Sequence, residues 1–173
     1  TEKAARQLSD GLRSLLGLVT NLTGQPYDLA GMYLGTVHSL CQRMLSDRRR
    51  FFADRHRPRP PVLLDDLGQY FHLYERANWE TMTRAAGLDP DSAAADINSL
   101  LNRQDSPSRH RAIEALRPYF NRFSEELLDP AALRPRLSSL TLNGFTPEQV
   151  DLLLALYEGY RQTLEQAGKT DFA

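Results

Sequence analysis

The most constraining feature of this sequence is a complete helix start at Thr146-Pro147-Glu148-Gln149. Threonine is a favoured N-cap residue, proline fits the first helical turn, and a glutamine three residues after the cap can return a hydrogen bond to it. Apolar residues then recur at helical spacing up to a glycine suited to ending a helix: Val150, Leu153, Leu154, Tyr157, Leu164 and Gly168. The pattern predicts a long helix near the end of the chain, with one buried face.

Helical spacing of apolar residues dominates the rest of the chain as well, which predicts a mainly α fold. Residues 66–69 have the capping pattern Asp-x-x-Gln, and the helix that follows is predicted to bury one apolar face. That face carries Leu67, Tyr70, Phe71 and Tyr74. The exception to the helical pattern is an apolar, β-prone run, for which we predict one short buried strand near residues 32–36.

Charge and cysteine content favour a soluble cytoplasmic protein. The chain of 173 residues has a net charge of −1, which argues against a uniformly basic nucleic-acid binder. Cys41 is the only cysteine, so a reducing compartment fits best. Because Cys41 shares the apolar face of a predicted helix, we expect a buried core residue and not a nucleophile paired with His38. Neither a signal peptide nor a membrane span is predicted.

The positive charge is concentrated in arginines. One cluster consists of Arg48, Arg49, Arg50, Arg55, Arg57 and Arg59, and a looser group consists of Arg103, Arg109, Arg111, Arg117 and Arg122. The planar guanidinium group suits contacts with phosphate. A solvated helix face explains each cluster equally well, so both interpretations stay open.

No catalytic, metal or cofactor site is predicted within the chain. Gly168-Lys169-Thr170 ends like a phosphate-binding loop, but that loop needs a glycine where this chain has Thr163. The run Val62–Asp66 resembles a strand that ends in magnesium ligands, although helix capping also explains its aspartates. The four histidines, His38, His56, His72 and His110, show no metal-ligand spacing.

One run of small polar residues, Gly35-Thr36-Val37-His38-Ser39, lies where the predicted strand meets a helix. Hydroxyl groups, an imidazole ring and the free N–H groups of a helix N-terminus can all bind phosphate oxygens. Alternatively, Thr36 or Ser39 simply caps the helix.

Three segments, taken in order, resemble the UvrD/Rep/PcrA family of superfamily 1 helicases. They are Thr1-Glu2-Lys3-Ala4-Ala5, the run from Gly35 to Cys41, and the spaced pattern from Tyr157 to Asp171-Phe172. The resemblance frames the whole chain and extends from motif Ia to the segment before the Walker B strand. The family commonly has an aromatic residue where this chain has Val37, and this difference argues against base stacking at that position.

The resemblance implies a helical 1B-type subdomain flanked by strips of a RecA-like α/β motor domain. Residues 1–57 would belong to motor domain 1A, residues 58–144 to the 1B insertion, and residues 145–173 to a long helix that returns to 1A. Single-stranded DNA would be bound by Thr1, Lys3, Thr36, His38 and Ser39, with further phosphate contacts from Arg48, Arg49 and Arg50. Asp171 and Phe172 are expected to have a structural role.

The resemblance also implies a longer parent helicase that couples ATP turnover to 3′ to 5′ movement along DNA. ATP and Mg²⁺ would bind other parts of the parent, so the chain alone would bind no cofactor and be inactive. Its partners would be single-stranded DNA, the junction with duplex, and the remaining helicase domains. Two alternatives stay open: a helicase–nuclease subunit of the RecB/AddA type, and a helical interaction domain without a nucleic-acid role.

Overall fold

A computed structural model describes residues 2–27, 29, 32–46, 61–101, 107–139 and 144–171, apart from the side chains of residues 38, 45 and 46. The chain divides into two units, Thr1–Pro61 and Val62–Ala173. Each is described on its own below. The described part of the chain is mainly helical, as predicted.

The described part of unit 1 contains two helices, α1 (Glu2–Thr23) and α2 (Val37–Ser46). Helix α1 ends where Gly24, at a φ of 70°, donates its N–H to the carbonyl of Thr20, because glycine adopts this left-handed conformation without steric cost. No residue of α1 is buried within the described structure. The leucines of α1 therefore pack little against other parts of the described structure.

Two predictions for unit 1 are wrong. Residues 32–36 form no strand, and Met32 is exposed. A strand needs a hydrogen-bonded neighbour, and within the described ranges no other strand pairs with this segment. Cys41 is an exposed free thiol and not a core residue, because the described part of unit 1 contains no packed layer that covers that face of α2.

Unit 2 contains the remaining described elements, in chain order. These are β1 (Val62–Leu63), α3 (Asp66–Tyr74), α4 (Arg76–Ala85), α5 (Ala93–Leu100), α6 (Arg109–Glu125), α7 (Pro130–Leu133), a 3₁₀ helix (Arg134–Ser139), α8 (Pro147–Ala167) and β2 (Lys169–Thr170). Helix α8 packs most extensively against α4, while α6 packs against α3 and α5. Their shared interior is the hydrophobic core of unit 2.

Helix α8 confirms the prediction made from its first four residues. The Thr146 hydroxyl accepts from the N–H of Gln149, and the Gln149 side chain accepts from the N–H of Thr146, which completes a capping box. The helix ends at Gly168, with a φ of 62°. The chain then enters β2, which pairs in parallel with β1. Gly168-Lys169-Thr170 is therefore a helix end followed by a strand, and not a phosphate-binding loop.

Helix α3 buries a different face from the one we predicted. Its N-cap is Asp65, whose carboxylate accepts from the N–H of Gly68, so the cap lies one residue before Asp66. The predicted face is largely exposed, with Leu67 at 62%, Phe71 at 59% and Tyr74 at 42%, and only Tyr70 is partly covered. The buried residues are Gln69, His72 and Leu73. Two polar side chains thus replace the expected apolar ones, because the interior supplies hydrogen-bond partners for them.

A hydrogen-bond network centred on Gln69 satisfies that side chain. Its amide donates to Asn121 at 2.7 Å and to the Tyr160 hydroxyl at 3.2 Å, and its carbonyl accepts from Arg117 at 3.1 Å. Tyr160 in turn donates to the Asp171 carboxylate at 2.9 Å. Burial raises the pKa of Asp171 above its usual range. The network links α3, α6 and α8 to the residue directly after β2.

His72 lies in a second buried set of hydrogen bonds. Its Nε2 is 3.0 Å from the Thr163 hydroxyl, and its Nδ1 is 3.0 Å from the Asn78 amide and 3.4 Å from the Lys169 ammonium. Burial, reinforced by the charge of Lys169, lowers the pKa of His72 below its ordinary value. The folded state therefore favours the neutral imidazole.

We expect unit 2 to lose stability as the pH falls below the ordinary histidine pKa near 6.5. Because the folded pKa of His72 is lowered, the unfolded chain binds the proton more readily, so the free energy of unfolding decreases in that interval. His72→Gln keeps a hydrogen-bonding side chain but cannot titrate. Between about pH 7 and about pH 5, the free energy of unfolding should fall less for this variant than for the wild type, as measured by denaturant unfolding. An equal fall in both proteins would contradict the assignment of this pH dependence to His72.

Candidate nucleic-acid interface

One polar cavity among the described residues of unit 1 lies between the N-terminal half of α1 and the segment that leads into α2. It has a volume of 430 Å³ and is open to solvent. Its walls are formed by Glu2, Ala5, Arg6, Ser9, Asp10, Arg13, Leu34, Gly35, Thr36 and Ser39. We call this cavity the groove.

The start of α2 is fixed by two hydroxyl side chains in the groove. The Thr36 hydroxyl accepts from the N–H of Ser39 at 3.2 Å and therefore caps the helix. The Ser39 hydroxyl donates to the Thr36 carbonyl at 2.8 Å, and the two hydroxyl oxygens are 3.1 Å apart. Thr36 is thus the cap, as one of the two interpretations of this run predicted.

Gly35 is required by the close packing of its neighbours. A Cβ atom at this position would lie 2.6 Å from the Ser39 hydroxyl oxygen and 2.7 Å from that of Tyr33. Any side chain here would displace the hydroxyl pair that organises the start of α2. The Tyr33 ring is itself held from the other side by the Arg43 guanidinium, 5.1 Å from its centroid.

The charges along the groove are balanced. Arg6, Arg13, Glu2 and Asp10 all line it, and Arg6 lies 3.6 Å from Glu2 in an exposed ion pair. No acidic residue occupies the first turn of α2, so the positive end of that helix is not neutralised locally. Arginines on an exposed helix can shift between partners. The groove thus brings two arginines and two acidic residues together with the two hydroxyl side chains at the start of α2.

The structure brings together only some of the predicted site residues. Thr36 and Ser39 lie side by side in the groove. Lys3 is exposed on the first turn of α1 but does not line it. His38 belongs to the first turn of α2, and its side chain lies outside the described structure. Also outside it are Thr1, Arg48, Arg49 and Arg50.

Sequence reasoning missed the contribution of α1 to the groove. Glu2, Arg6, Ser9 and Arg13 recur at intervals of four, three and four residues, which places them on one face of a helix. The family resemblance pointed to Thr1 and Lys3 at the start of this helix, whereas the groove is lined by the face that carries Glu2, Arg6 and Arg13. The helical spacing of those residues in the sequence could have identified this face.

Comparison with known proteins identifies the family. The family model for the UvrD/REP helicase N-terminal domain matches residues 1–173. This chain belongs to the UvrD/REP helicase family. No curated protein and no solved structure matches it.

The family membership confirms the resemblance drawn from the three sequence segments at the level of a UvrD-type helicase. It identifies the chain as part of an ATP-dependent helicase, for which DNA is the expected partner. Among the described helices of this UvrD-type chain, none is long and apolar enough to cross a membrane.

Proposed function

We propose that this chain is the DNA-contacting part of a 3′ to 5′ helicase, and that single-stranded DNA binds in the groove of unit 1. The observation that carries the proposal is the meeting of two separate sequence segments. Glu2 and Ala5 come from the first helicase-like segment, Gly35 and Thr36 come from the second, and all four line the same cavity. Segments 30 residues apart in sequence thus form one surface.

The groove residues suit the DNA backbone better than the bases. The first N–H groups of α2 are donors for phosphate oxygens, and the hydroxyls of Thr36 and Ser39 become donors when they turn away from their present partners, the Ser39 hydroxyl and the Thr36 carbonyl. Lys3 adds a positive charge to the first turn of α1, next in sequence to the groove residue Glu2. We propose that Thr1 and His38 complete this set and that Arg48, Arg49 and Arg50 bind further phosphates. Contacts of this kind bind DNA without sequence preference.

The helicase-like division of the chain belongs to the same proposal. Residues 1–57 and 145–173 would be parts of motor domain 1A, and residues 58–144 would be the 1B insertion beside the duplex. ATP and Mg²⁺ would be bound elsewhere in the parent helicase. We therefore expect the isolated chain to bind DNA without hydrolysing ATP.

The exposed leucines of α1 support contact with the remaining helicase domains. Leu8, Leu15, Leu18 and Leu22 are each more than half exposed. Apolar residues in such a series on one helix mark an interaction surface. We propose that the rest of the motor domain covers this face in the parent protein.

A matched pair of substitutions at Thr36 tests the groove. Asparagine and aspartate both cap helices at least as well as threonine, so Thr36→Asn and Thr36→Asp should both preserve α2. The two side chains have nearly the same shape, and only aspartate adds a negative charge beside the proposed phosphate path. We expect Thr36→Asp to weaken single-stranded DNA binding about tenfold relative to Thr36→Asn at low salt.

Fluorescence anisotropy with a labelled oligonucleotide measures both affinities. The difference between the two variants should shrink as salt is added, because salt screens the introduced charge. Circular dichroism serves as the control that α2 is retained in both proteins. Equal affinities for the two variants at low salt would show that DNA does not pass Thr36.

A further inference from the structure

Exposed aromatic rings beside two basic side chains form a second surface that the proposed groove does not explain. Phe71 and Tyr74 of α3 are 59% and 42% exposed, and the Tyr70 ring contacts both of theirs. Arg109 and His110 of α6 adjoin these rings. We call Tyr70, Phe71, Tyr74, Arg109 and His110 the aromatic patch. It lies entirely within unit 2.

The rings of the aromatic patch are held in a fixed arrangement. Tyr70 and Tyr74 stack with centroids 5.6 Å apart and an interplanar angle of 19°, and Phe71 meets Tyr70 edge-on at 5.4 Å. The Tyr70 hydroxyl lies 3.0 Å from Nδ1 of His110, which ties α3 to α6. The exposed rings are therefore already in position before any partner binds, which lowers the entropy cost of binding.

The charge of the aromatic patch is positive. The Arg109 guanidinium lies 4.5 Å from the centroid of Tyr74 and forms no ion pair with a described residue. Other arginines of unit 2 are paired with carboxylates: Arg76, Arg84, Arg117, Arg122 and Arg134. Asp66, one turn before Tyr70, lies 3.5 Å from Arg117, so that guanidinium offsets its charge. The Arg109 guanidinium therefore packs against the rings of Tyr74 and Trp79, and its charge is not offset by a carboxylate of a described residue.

Exposed aromatic side chains next to a guanidinium without a carboxylate partner among the described residues match the chemistry of single-stranded nucleic acid. Bases of any sequence stack on aromatic faces, and the guanidinium group contacts the backbone phosphate. We propose that the aromatic patch is a second contact surface for single-stranded nucleic acid, with a base stacked on Phe71, a neighbouring base against the exposed edge of Tyr74, and a phosphate held by Arg109. The proposal rests on the proposed DNA-binding function of the chain, but it does not depend on the groove.

Binding of the full chain to two oligonucleotides of equal length tests the proposal. One is oligothymidylate, and the other is an abasic strand with the same phosphates and no bases. We expect the wild-type chain to bind oligothymidylate more tightly, and Phe71→Ala/Tyr74→Ala to weaken that binding about tenfold while barely changing binding of the abasic strand. Arg109→Ala should weaken binding of both strands. Arg122→Ala is the charge control, since Arg122 is exposed and lies outside the patch.

Photocrosslinking identifies the site directly. An oligonucleotide with iodouracil in place of thymine should crosslink to Phe71 or Tyr74, and mass spectrometry would locate the adduct. If the double variant binds normally while Thr36→Asp binds poorly, the groove stands and the aromatic patch is not a nucleic-acid site. If the double variant binds poorly while Thr36→Asp binds normally, the aromatic patch is the nucleic-acid site and the groove is not. Equal affinity for the two strands, or self-association that the double variant abolishes, would also overturn the proposal.

Discussion

Replacement of Gly159 by alanine is expected to lower the free energy of unfolding of unit 2 by about 2–3 kcal/mol. Gly159 lies in the middle of α8, where it faces α4. A Cβ atom at this position would lie 2.7 Å from the Met82 carbonyl oxygen and 2.9 Å from the Met82 Cα. Both are backbone atoms, so the clash can be relieved only by moving one helix away from the other.

The expected loss exceeds the gain that alanine normally brings to a helix. Alanine is favoured over glycine in a helix interior by about 1 kcal/mol, because it loses less conformational entropy. Here the close contact of α4 and α8 must open, and the surrounding core residues lose packing as it does so. The most extensive helix–helix contact of unit 2 is the one affected.

Gly17→Ala is the matched control for this experiment. Gly17 lies within α1, and nothing approaches within 4 Å of the position that its Cβ would occupy. Alanine in place of Gly17 should therefore leave the free energy of unfolding unchanged or raise it slightly. Denaturant unfolding followed by circular dichroism measures both variants. A Gly159→Ala protein as stable as the wild type would show that α4 and α8 do not pack at this distance.

Phe120→Ala is expected to destabilise unit 2 by about 3–5 kcal/mol. Phe120 is fully buried on α6 and stacks on Tyr160 of α8, with ring centroids 5.0 Å apart and an interplanar angle of 14°. Its ring also lies 5.7 Å from that of Tyr157. Removal of the ring leaves a cavity between α6 and α8 and loosens the tyrosine whose hydroxyl binds Gln69 and Asp171.

Phe71→Ala removes the same side chain from an exposed site. Its expected effect on stability is within about 0.5 kcal/mol, as for most surface substitutions. Because both variants lose a phenylalanine ring, the difference in stability between Phe120→Ala and Phe71→Ala reports the effect of burial. Thermal unfolding of the two variants measures the difference. Similar losses for both would mean that α3 presents to the interior the face that the sequence predicted, and not the face described in the structure.

The parts of the fold that could be predicted were those set by local chemistry. The start of α8 at Thr146 and its end at Gly168 follow from hydrogen bonds and φ angles within a few residues of each site. The mainly α class follows from apolar periodicity. Thr36 as a helix cap was foreseen as one of two interpretations, since capping needs only the neighbouring N–H groups.

The parts that failed depend on partners distant in sequence. The buried face of α3 is decided by Asn121, Thr163 and Tyr160, which satisfy Gln69 and His72 from helices far along the chain. Hydrophobicity alone favours the opposite face. The predicted strand near residues 32–36 fails for the related reason that strand formation requires a pairing neighbour.

The candidate site was predicted in part. The run Gly35–Ser39 was recognised, and the structure places Thr36 and Ser39 together in the groove. The contribution of Arg6 and Arg13 required knowledge of which face of α1 lies towards that run. Helical periodicity identifies a face of a helix but not the segment that this face contacts. The family resemblance assigned both segments to one DNA path, and the structure shows which residues of α1 line the groove with Thr36.

The salt dependence of single-stranded DNA binding by the full chain tests the central claim most directly. Affinity should fall steeply as salt rises, with a slope of about −0.7 per phosphate contacted on a log–log plot. The triple variant Arg48→Ala/Arg49→Ala/Arg50→Ala should bind more weakly and with a shallower slope. Absence of binding at low salt, or an affinity indifferent to salt, would contradict the claim that this chain contacts the DNA backbone.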